Sequence, residues 1–164
     1  MSRRASLLRR WTAGAGTSTT EPFAIRFASP FDRTPHAWRK VEQWSRRRDE
    51  FVKRAAFALL WGLTVHDKSA NDALFAQSLL LVERAASDER HFVMKTVNMA
   101  LRAIGKRSAG LNAAAVALGR RLAASPHAAP RWVGKDAVRE LTSLKVIHRL
   151  AAKHGAGLDP SERP

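Results

Sequence analysis

The sequence predicts an all-α fold, a HEAT-like solenoid of about three helix pairs with a basic concave face. Three observations lead to this prediction. One short pattern occurs three times at a spacing close to 40 residues, the sequence between the copies has helical periodicity, and a cation recurs at the same position of each copy. Helical sequence with a period near 40 residues is typical of HEAT and armadillo repeats.

The repeated pattern begins with an aromatic residue followed by Val, and it has a Lys or Arg three positions after the aromatic residue. A small or branched apolar residue and then a Leu, nine positions after the aromatic residue, complete it. The copies start at Phe51, Phe92 and Trp132, which are 41 and 40 positions apart. Each copy therefore marks the equivalent helix of one repeat.

A helical wheel of the first copy divides its residues between two sides, at about 100° per residue. The side expected to be buried holds Phe51, Val52, Ala55, Ala56, Leu59 and Leu60. When repeats stack, equivalent helices line one surface. The outward columns are then Arg54, Lys95 and Lys135; Phe57, Asn98 and Val138; Ala58, Met99 and Arg139; and Trp61, Arg102 and Thr142.

The composition points to an anionic partner. The 164 residues carry 29 Lys plus Arg against 14 Asp plus Glu, a formal net charge of +15. Such an excess favours nucleic acid over an anionic membrane, although an Arg-biased genome or ribosome association would also produce it. There is no Cys, which excludes disulfides and thiolate zinc sites, and no apolar run long enough to span a bilayer. We expect a soluble, cytoplasmic, nucleoid-associated monomer.

The chain divides into three segments. Residues 1–30 are basic, poor in acids and rich in Gly, Ser and Thr from residue 14 to 20, so they lack the apolar density needed for order. They are interpreted as a disordered basic arm, an organelle-type transit peptide or a mis-framed start. Residues 31–153 form the predicted repeat domain, and residues 154–164 are a predicted disordered tail.

The first repeat and the start of the second follow from cap signals. Thr34 and Pro35 start a helix over 36–47, which buries Trp38, Val41 and Trp44. Acids at 49 and 50 open a second helix to about residue 65, because acids suit the positive end of the helix dipole. Residues 66–69 form a turn, and Asn71 or Asp72 starts the third helix. Its expected apolar set is Leu74, Phe75, Leu79, Leu80 and Val82.

The remaining helices follow the same logic. Acids at 88 and 89 open a fourth helix, which continues to Ile104 and ends near residues 105–107. An Ala-rich fifth helix covers 111–124 and is closed by Ser125 and Pro126. Pro130 starts the sixth helix, which extends to about residue 153 with a candidate break at Thr142 and Ser143.

The basic column of Arg54, Lys95 and Lys135 is the strongest functional signal. Its alternative interpretation is an ordinary solvated helix face, but recurrence in register favours phosphate contact, in which cations neutralise successive phosphates. Trp61 and Phe57, predicted on the same face, serve either as packing residues or as rings that stack on a base or sugar. The six His residues have no metal-site spacing, and no Ser has a paired base nearby.

Several segments resemble the DNA alkylation repair family, HEAT-like-repeat DNA glycosylases of the AlkD type. They are FDRTP (31–35), WRKV (38–41), FVKRAAFALL (51–60), HDK (66–68), ALRAIGKR (100–107) and RWVGKDA (131–137). The resemblance, over about 31–150, implies an all-α superhelix whose basic concave face holds duplex DNA. It also implies hydrolysis of the N-glycosidic bond of cationic alkylpurines without a cofactor. In such enzymes a carboxylate stabilises the developing sugar cation and tryptophans contact the deoxyribose.

The resemblance carries over to this chain only in part. Arg54 matches the family arginine that reaches the DNA backbone, whereas Met99 stands where the family commonly has a Trp. The family's catalytic acid lies in a Trp-Asp-x-Cys-Asp-like segment before the counterpart of Phe31, and residues 15–30 contain no Trp, Asp or Cys. The catalytic residue is therefore unknown and the chain looks truncated. The DNA-binding residues implied are Arg54, Trp61, Lys95, Met99, Arg102, Lys106, Lys135 and Arg139.

Two functional hypotheses remain open. The first is a protein that binds duplex DNA through its phosphates but has weak or absent glycosylase activity, since catalysis requires a negative charge near the developing sugar cation. The second is a non-enzymatic HEAT-type scaffold that binds an acidic protein or RNA. The salt dependence of duplex binding distinguishes them, because phosphate contacts release counterions.

Overall fold

The computed structural model describes residues 35–155, which form seven α-helices and no strand. The prediction of an all-α fold is confirmed. The arm 1–30, the Thr34 cap and the tail beyond residue 155 lie outside the described residues. The helices are α1 (Pro35–Ser45), α2 (Glu50–His66), α3 (Asp72–Ala85), α4 (His91–Gly105), α5 (Ala109–Ala123), α6 (Ala128–Leu141) and α7 (Leu144–Gly155).

The first six helices form three pairs arranged in two layers. Within each pair the helices pack together, α1 with α2, α3 with α4 and α5 with α6. Helices α1, α3 and α5 pack side by side in one layer, and α2, α4 and α6 pack side by side in the other. This arrangement is consistent with a helical repeat solenoid, in which each pair contacts its neighbours along the chain.

Polar side chains cap the starts of three helices, α2, α3 and α5. The Asp49 carboxylate accepts a hydrogen bond from the Val52 amide at 3.0 Å, and the Asn71 side chain accepts one from Ala73 at 2.9 Å. The Ser108 hydroxyl accepts one from Leu111 at 3.3 Å. Each cap pairs an amide that has no partner within its own helix. The predicted starts of α2 and α3 are therefore confirmed.

Helix α4 begins later than the acids at 88 and 89 predicted. Its N-cap is Arg90, which makes no side-chain capping bond. The carboxylate of Asp88 is instead occupied by the side chains of Lys53 and Arg90. The same carboxylate also accepts from the amide of Arg90 at 3.2 Å, before the first helical residue, and the helix starts at His91.

The candidate break after α6 is confirmed, and it produces a separate seventh helix. The hydroxyl of Thr142 donates to the carbonyl of Val138, and that of Ser143 donates to the carbonyl of Glu140. The Ser143 carbonyl in turn accepts from the amides of Val146 and Ile147. Helix α7 packs against both α5 and α6.

The helical wheel placed two residues of α2 on the wrong side. Phe57 was predicted to face outward but is fully buried, and its equivalent Asn98 is only 3% exposed. Phe51 was predicted to be buried but is 46% exposed. A wheel divides a helix into two halves, whereas α2 is covered by α1 and by α4, so only a narrow arc remains open.

In helix α3, two apolar residues that were predicted to be buried are exposed. Phe75, Leu79 and Val82 are buried at i, i+4 and i+7, the spacing of one helix face. Leu74 and Leu80 are exposed, contrary to the prediction. They lie on the outer side of the layer formed by α1, α3 and α5, where no described element covers them.

The closest approach of α5 and α6 depends on Gly134. A Cβ atom there would lie 2.3 Å from the Ala123 amide nitrogen and 2.4 Å from the Gly119 carbonyl oxygen. Both of these atoms belong to the backbone, so neither can move independently of its helix. The absence of a side chain at Gly134 therefore sets the distance between the last two paired helices.

We expect Gly134→Ala to destabilise the protein by about 1–3 kcal/mol, because the added methyl group would force α5 and α6 apart. Gly110→Ala is the matched control, since a Cβ there meets nothing within 4 Å. It should be neutral or stabilise the helix by up to about 1 kcal/mol. Thermal unfolding followed by circular dichroism compares the two, and equal midpoints would contradict the close-packing argument.

Candidate nucleic-acid interface

Helices α2, α4 and α6 expose equivalent positions along one face, termed the α2–α4–α6 face. The exposed positions on each helix are three or four residues apart, the spacing that places side chains on one helical stripe. Most of these side chains are polar or aromatic. The face consists of Phe51, Arg54, Ala58 and Trp61 on α2; Phe92, Lys95, Met99 and Arg102 on α4; and Trp132, Lys135, Arg139 and Thr142 on α6.

A column of aromatic rings runs along this face beside the cations. Phe51 is 46% exposed, Phe92 is 53% exposed and Trp132 is 41% exposed. Each ring precedes its cation by three residues, so ring and cation are neighbours on one stripe. The helical wheel predicts the first ring on the side of α2 that is expected to be buried. Its constant spacing from a cation was the signal that could have placed it on the surface.

The three cations of the predicted column all lie on this face but differ in their contacts. The guanidinium of Arg54 lies 5.1 Å from the centroid of the Phe92 ring, so it bridges α2 and α4 by a cation–π contact. Lys95 and Lys135 are exposed. Neither side chain makes an ion pair or hydrogen bond with any residue in the range 35–155. Their charges are available to a partner.

The other predicted cations are paired with acids of α6. Arg102 contacts the carboxylate of Glu140 and lies 3.5 Å from that of Asp136. Lys106 donates to Glu140 at 2.6 Å, and Arg139 pairs with Asp136. The sequence analysis counted the three cations as DNA contacts and did not identify these acids as their partners. Pairing reduces the positive charge that this part of the face presents.

These pairs tie α4 to α6. The Asn98 amide donates to the Asp136 carboxylate at 2.7 Å, beside the Arg102 contacts. Burial opposes ionisation of Glu140, but the Lys106 hydrogen bond and the charge of Arg102 outweigh it and lower the pKa of that carboxyl. Glu140 therefore remains anionic at neutral pH, and its contacts, together with those of Asp136, hold the two helices together.

Trp61 and Met99 are both partly buried on the face. Met99 lies between Lys95 and Arg102, at the position where the family resemblance implies a Trp. Trp61 lies near the C-terminal end of α2, where it lines a cavity together with Lys106. The structure thus brings all the sequence-predicted site residues to one face or its edge.

A family model described as DNA alkylation repair enzyme matches residues 4–141. The chain belongs to the DNA alkylation repair enzyme family. This confirms the resemblance found in the sequence and supports a role related to DNA repair. The match begins at residue 4, within the segment that precedes the described helices. The comparison with curated proteins and that with solved structures gave no significant match.

Within residues 35–155, no group of three or more His, Cys, Asp or Glu side chains is arranged to hold a metal ion. In the same range, no helix combines the length and the apolar character that crossing a bilayer requires.

In this DNA alkylation repair family member, Asp88 links α2 to the start of α4. Its carboxylate accepts from Lys53 at 3.0 Å and from Arg90 at 2.6 Å, and Arg90 also donates to the Arg48 carbonyl. The hydrogen bonds from Arg90 hold the pKa of Asp88 well below its usual range; burial opposes this effect, and Lys53 reinforces it. The contact fixes the spacing of the first two helices of the face.

Because the folded pKa of Asp88 is depressed, its contribution to stability is present above the unfolded pKa, about 3.9. It is lost as the pH falls from about 5 toward the lower folded value. We expect Asp88→Asn to lower the free energy of unfolding at pH 7 by about 1–3 kcal/mol, since two cations lose their partner. The difference from the unmodified protein should shrink as the pH falls through that window.

Urea unfolding at several pH values measures this effect. Glu42→Gln is the control, because the Glu42–Arg46 pair is exposed and such pairs contribute about 0.5 kcal/mol or less. A loss of stability for Asp88→Asn that matches the control, or that does not change with pH, would contradict the proposed role of Asp88.

Proposed function

We propose that the protein binds duplex DNA through phosphate contacts on the α2–α4–α6 face, as a member of its family with little or no glycosylase activity. The observation that carries the proposal is the threefold pairing of an exposed ring with a cation, at Phe51 and Arg54, Phe92 and Lys95, and Trp132 and Lys135. Neighbouring helices present these pairs in the same register.

The charge distribution on the face supports a polyanionic partner. Arg54, Lys95 and Lys135 form no ion pair with the described residues, so a partner can neutralise them. Cations at regular spacing suit a regularly charged polymer, because each phosphate contact releases condensed counterions. The family role related to DNA repair favours duplex DNA over the alternative partners, RNA and an acidic protein. Such a protein acts where the cell's DNA is, as a monomer in the cytoplasm with the nucleoid.

The exposed rings supply contacts that charge alone does not. An aromatic ring beside a phosphate-binding cation can pack against the deoxyribose or a displaced base, and such stacking tolerates any sequence. Binding would then be insensitive to base sequence, because phosphate and sugar contacts carry no sequence information.

The carboxylates bordering the face do not suit glycosidic bond cleavage. Removing a cationic base requires a negative charge close to the developing sugar cation. Asp136 and Glu140 border the face, but Arg102, Lys106 and Arg139 pair with them. A carboxylate that already neutralises one or two cations offers little net charge to a transition state. The Trp-Asp segment implied by the resemblance has no counterpart in residues 15–30.

We expect Lys95→Glu to weaken the binding of every duplex sequence to a similar extent and to reduce the salt slope by about one unit. Fluorescence anisotropy with labelled duplexes, over about 50–200 mM salt, measures both quantities. Arg120→Glu is the matched control, since Arg120 is an exposed cation on α5, in the other layer. If both variants bind equally well, the face is wrongly assigned, and tighter binding to RNA or to an acidic protein would favour the alternatives.

We expect release of a methylated purine from duplex DNA to be slower than for an active glycosylase by a factor of about 10²–10³ or more, the cost of losing an electrostatic stabiliser. Base release by the purified protein, compared with protein-free duplex, measures this. Turnover that is clearly above the protein-free rate and is lost in Arg54→Ala would contradict the proposed loss of catalysis.

A further inference from the structure

A cavity of about 440 Å³ lies at the edge of the α2–α4–α6 face, where the C-terminal ends of α2 and α4 meet α7. It is termed the rim pocket. Trp61 belongs both to the face and to this pocket, and Lys106 lies four residues beyond Arg102 of the face, so the two surfaces are continuous. Its charged and aromatic lining consists of Trp61, Lys68, Asp72, Lys106, Arg107, Arg149 and Lys153.

The lining of the rim pocket is strongly cationic. Five Lys and Arg side chains line it, and Asp72 is the single carboxylate among the lining residues. That carboxylate is already occupied, because it accepts from Arg107 at 3.2 Å and from the Ser108 hydroxyl at 2.5 Å. Asp72 therefore does not neutralise the other four cations of the lining.

Two of the five cations have evident roles in the fold. Arg107 donates to the carbonyls of Thr64 and Ala70 and stacks on Phe75 at 4.3 Å, so it anchors the turn between α2 and α3. Lys106 pairs with Glu140 of α6. These contacts explain why both residues are held where they are.

Of the remaining three cations, two are not explained by the fold. The side chains of Lys68 and Arg149 make no hydrogen bond or ion pair with the described residues, although both line the pocket. Lys153 donates only to the Lys106 carbonyl, at 3.4 Å. Cations near helix C-termini gain from the helix dipole, and this accounts for Lys153, which contacts such a carbonyl. It does not account for Lys68 and Arg149.

The cations are close enough to repel one another. Partial burial lowers the pKa of Lys153, and the charges of Arg149, Lys68 and Arg107 lower it further. Like charges gathered from a turn and from α4 and α7 would separate in water if nothing compensated them. An anion in the pocket would relieve this repulsion, and a phosphate group offers charge and several acceptor oxygens to Lys and Arg donors.

We propose that the rim pocket is a phosphate-binding site that holds one backbone phosphate of the duplex lying on the α2–α4–α6 face. This inference rests on the proposed function, which places duplex DNA on that face. Lys68, Arg149 and Lys153 supply the charge, and the Trp61 ring packs against the sugar of the same nucleotide. Helix α7 thereby extends the DNA-binding surface beyond the three helices that carry the repeated pattern.

The experiment compares duplex binding by the double variant Lys68→Gln, Arg149→Gln with that of a control, Arg84→Gln, Arg120→Gln. Both variants remove two exposed cations, but the control pair lies on α3 and α5, in the other layer. We expect the pocket variant to bind duplex DNA more weakly than the control and to reduce the salt slope by about one unit, the value of one phosphate contact. Equal affinities and slopes for the two variants would overturn the proposal.

A second arm distinguishes a backbone phosphate from a free anion. Inorganic pyrophosphate is titrated at constant ionic strength, and the Nε–Hε signals of the arginines are followed by NMR. We expect pyrophosphate to shift the Arg149 signal and to weaken duplex binding by the unmodified protein but not by the pocket variant. A shift of Arg149 without any loss of duplex binding would show a free-anion site and would overturn the assignment to DNA.

The Lys95→Glu variant separates this proposal from the proposed function. If Lys95→Glu weakens binding and the pocket variant matches its control, the face is supported and the rim pocket is overturned. If the pocket variant weakens binding and Lys95→Glu does not, the pocket binds phosphate but the duplex does not lie on the face. That result overturns the proposal that one duplex occupies both the face and the rim pocket. Thermal unfolding of each variant establishes that the compared proteins are folded.

Discussion

The burial of α2, α4 and α6 is the constraint on which the rest of the molecule depends. Each of these helices is covered by its pair partner and by its neighbours in the layer, so only a narrow arc of each remains exposed. Large side chains such as Phe57 and Leu60 are wholly buried as a result. A residue that recurs within the exposed arc must recur on the surface. This is why one short pattern, repeated three times, produces a continuous face of rings and cations.

Ion pairs between helices divide the cations into two classes. Arg102 and Lys106 hold α4 against α6 through Asp136 and Glu140, and Lys53 holds α2 near α4 through Asp88. These contacts are partly buried, so they are screened less than exposed pairs. Among the cations that form no ion pair with the described residues, Arg54, Lys95 and Lys135 lie in the middle of the face. Lys68 and Arg149 line the rim pocket.

The positive charge that favours phosphate binding also disfavours cleavage of a glycosidic bond. A face that attracts phosphates is positive, and a positive face disfavours the sugar cation that forms when a glycosidic bond breaks. An enzyme of this kind needs a carboxylate that no cation neutralises. In residues 35–155 the carboxylates that border the face are bound by Arg and Lys side chains. This pairing supports the proposal that the face holds DNA without cleaving its glycosidic bonds.

Local signals allowed much of the fold to be predicted. The caps at Asp49 and Asn71 located two helix starts, and the residues after Leu141 predicted the break before α7, because these features depend on nearby backbone groups. The prediction failed where a distant partner decides the outcome. Asp88 does not cap α4 because Lys53, 35 residues earlier, binds its carboxylate.

The residues of the candidate site also divide into those whose position the sequence predicts and those whose charge state depends on distant partners. The positions of Lys95 and Lys135 on a shared face follow from their place in the repeat, since equivalent residues of stacked helices have equivalent surroundings. Arg102 lies on the same face and Lys106 lies at its edge, but both cations pair with Glu140, which is 38 and 34 residues away in the sequence. The sequence by itself determined the helices, the repeat and the total charge, because these arise from neighbouring residues and composition. Only the tertiary structure decided which rings are exposed, which cations are unpaired and which of them surround a pocket, because these depend on contacts between helices.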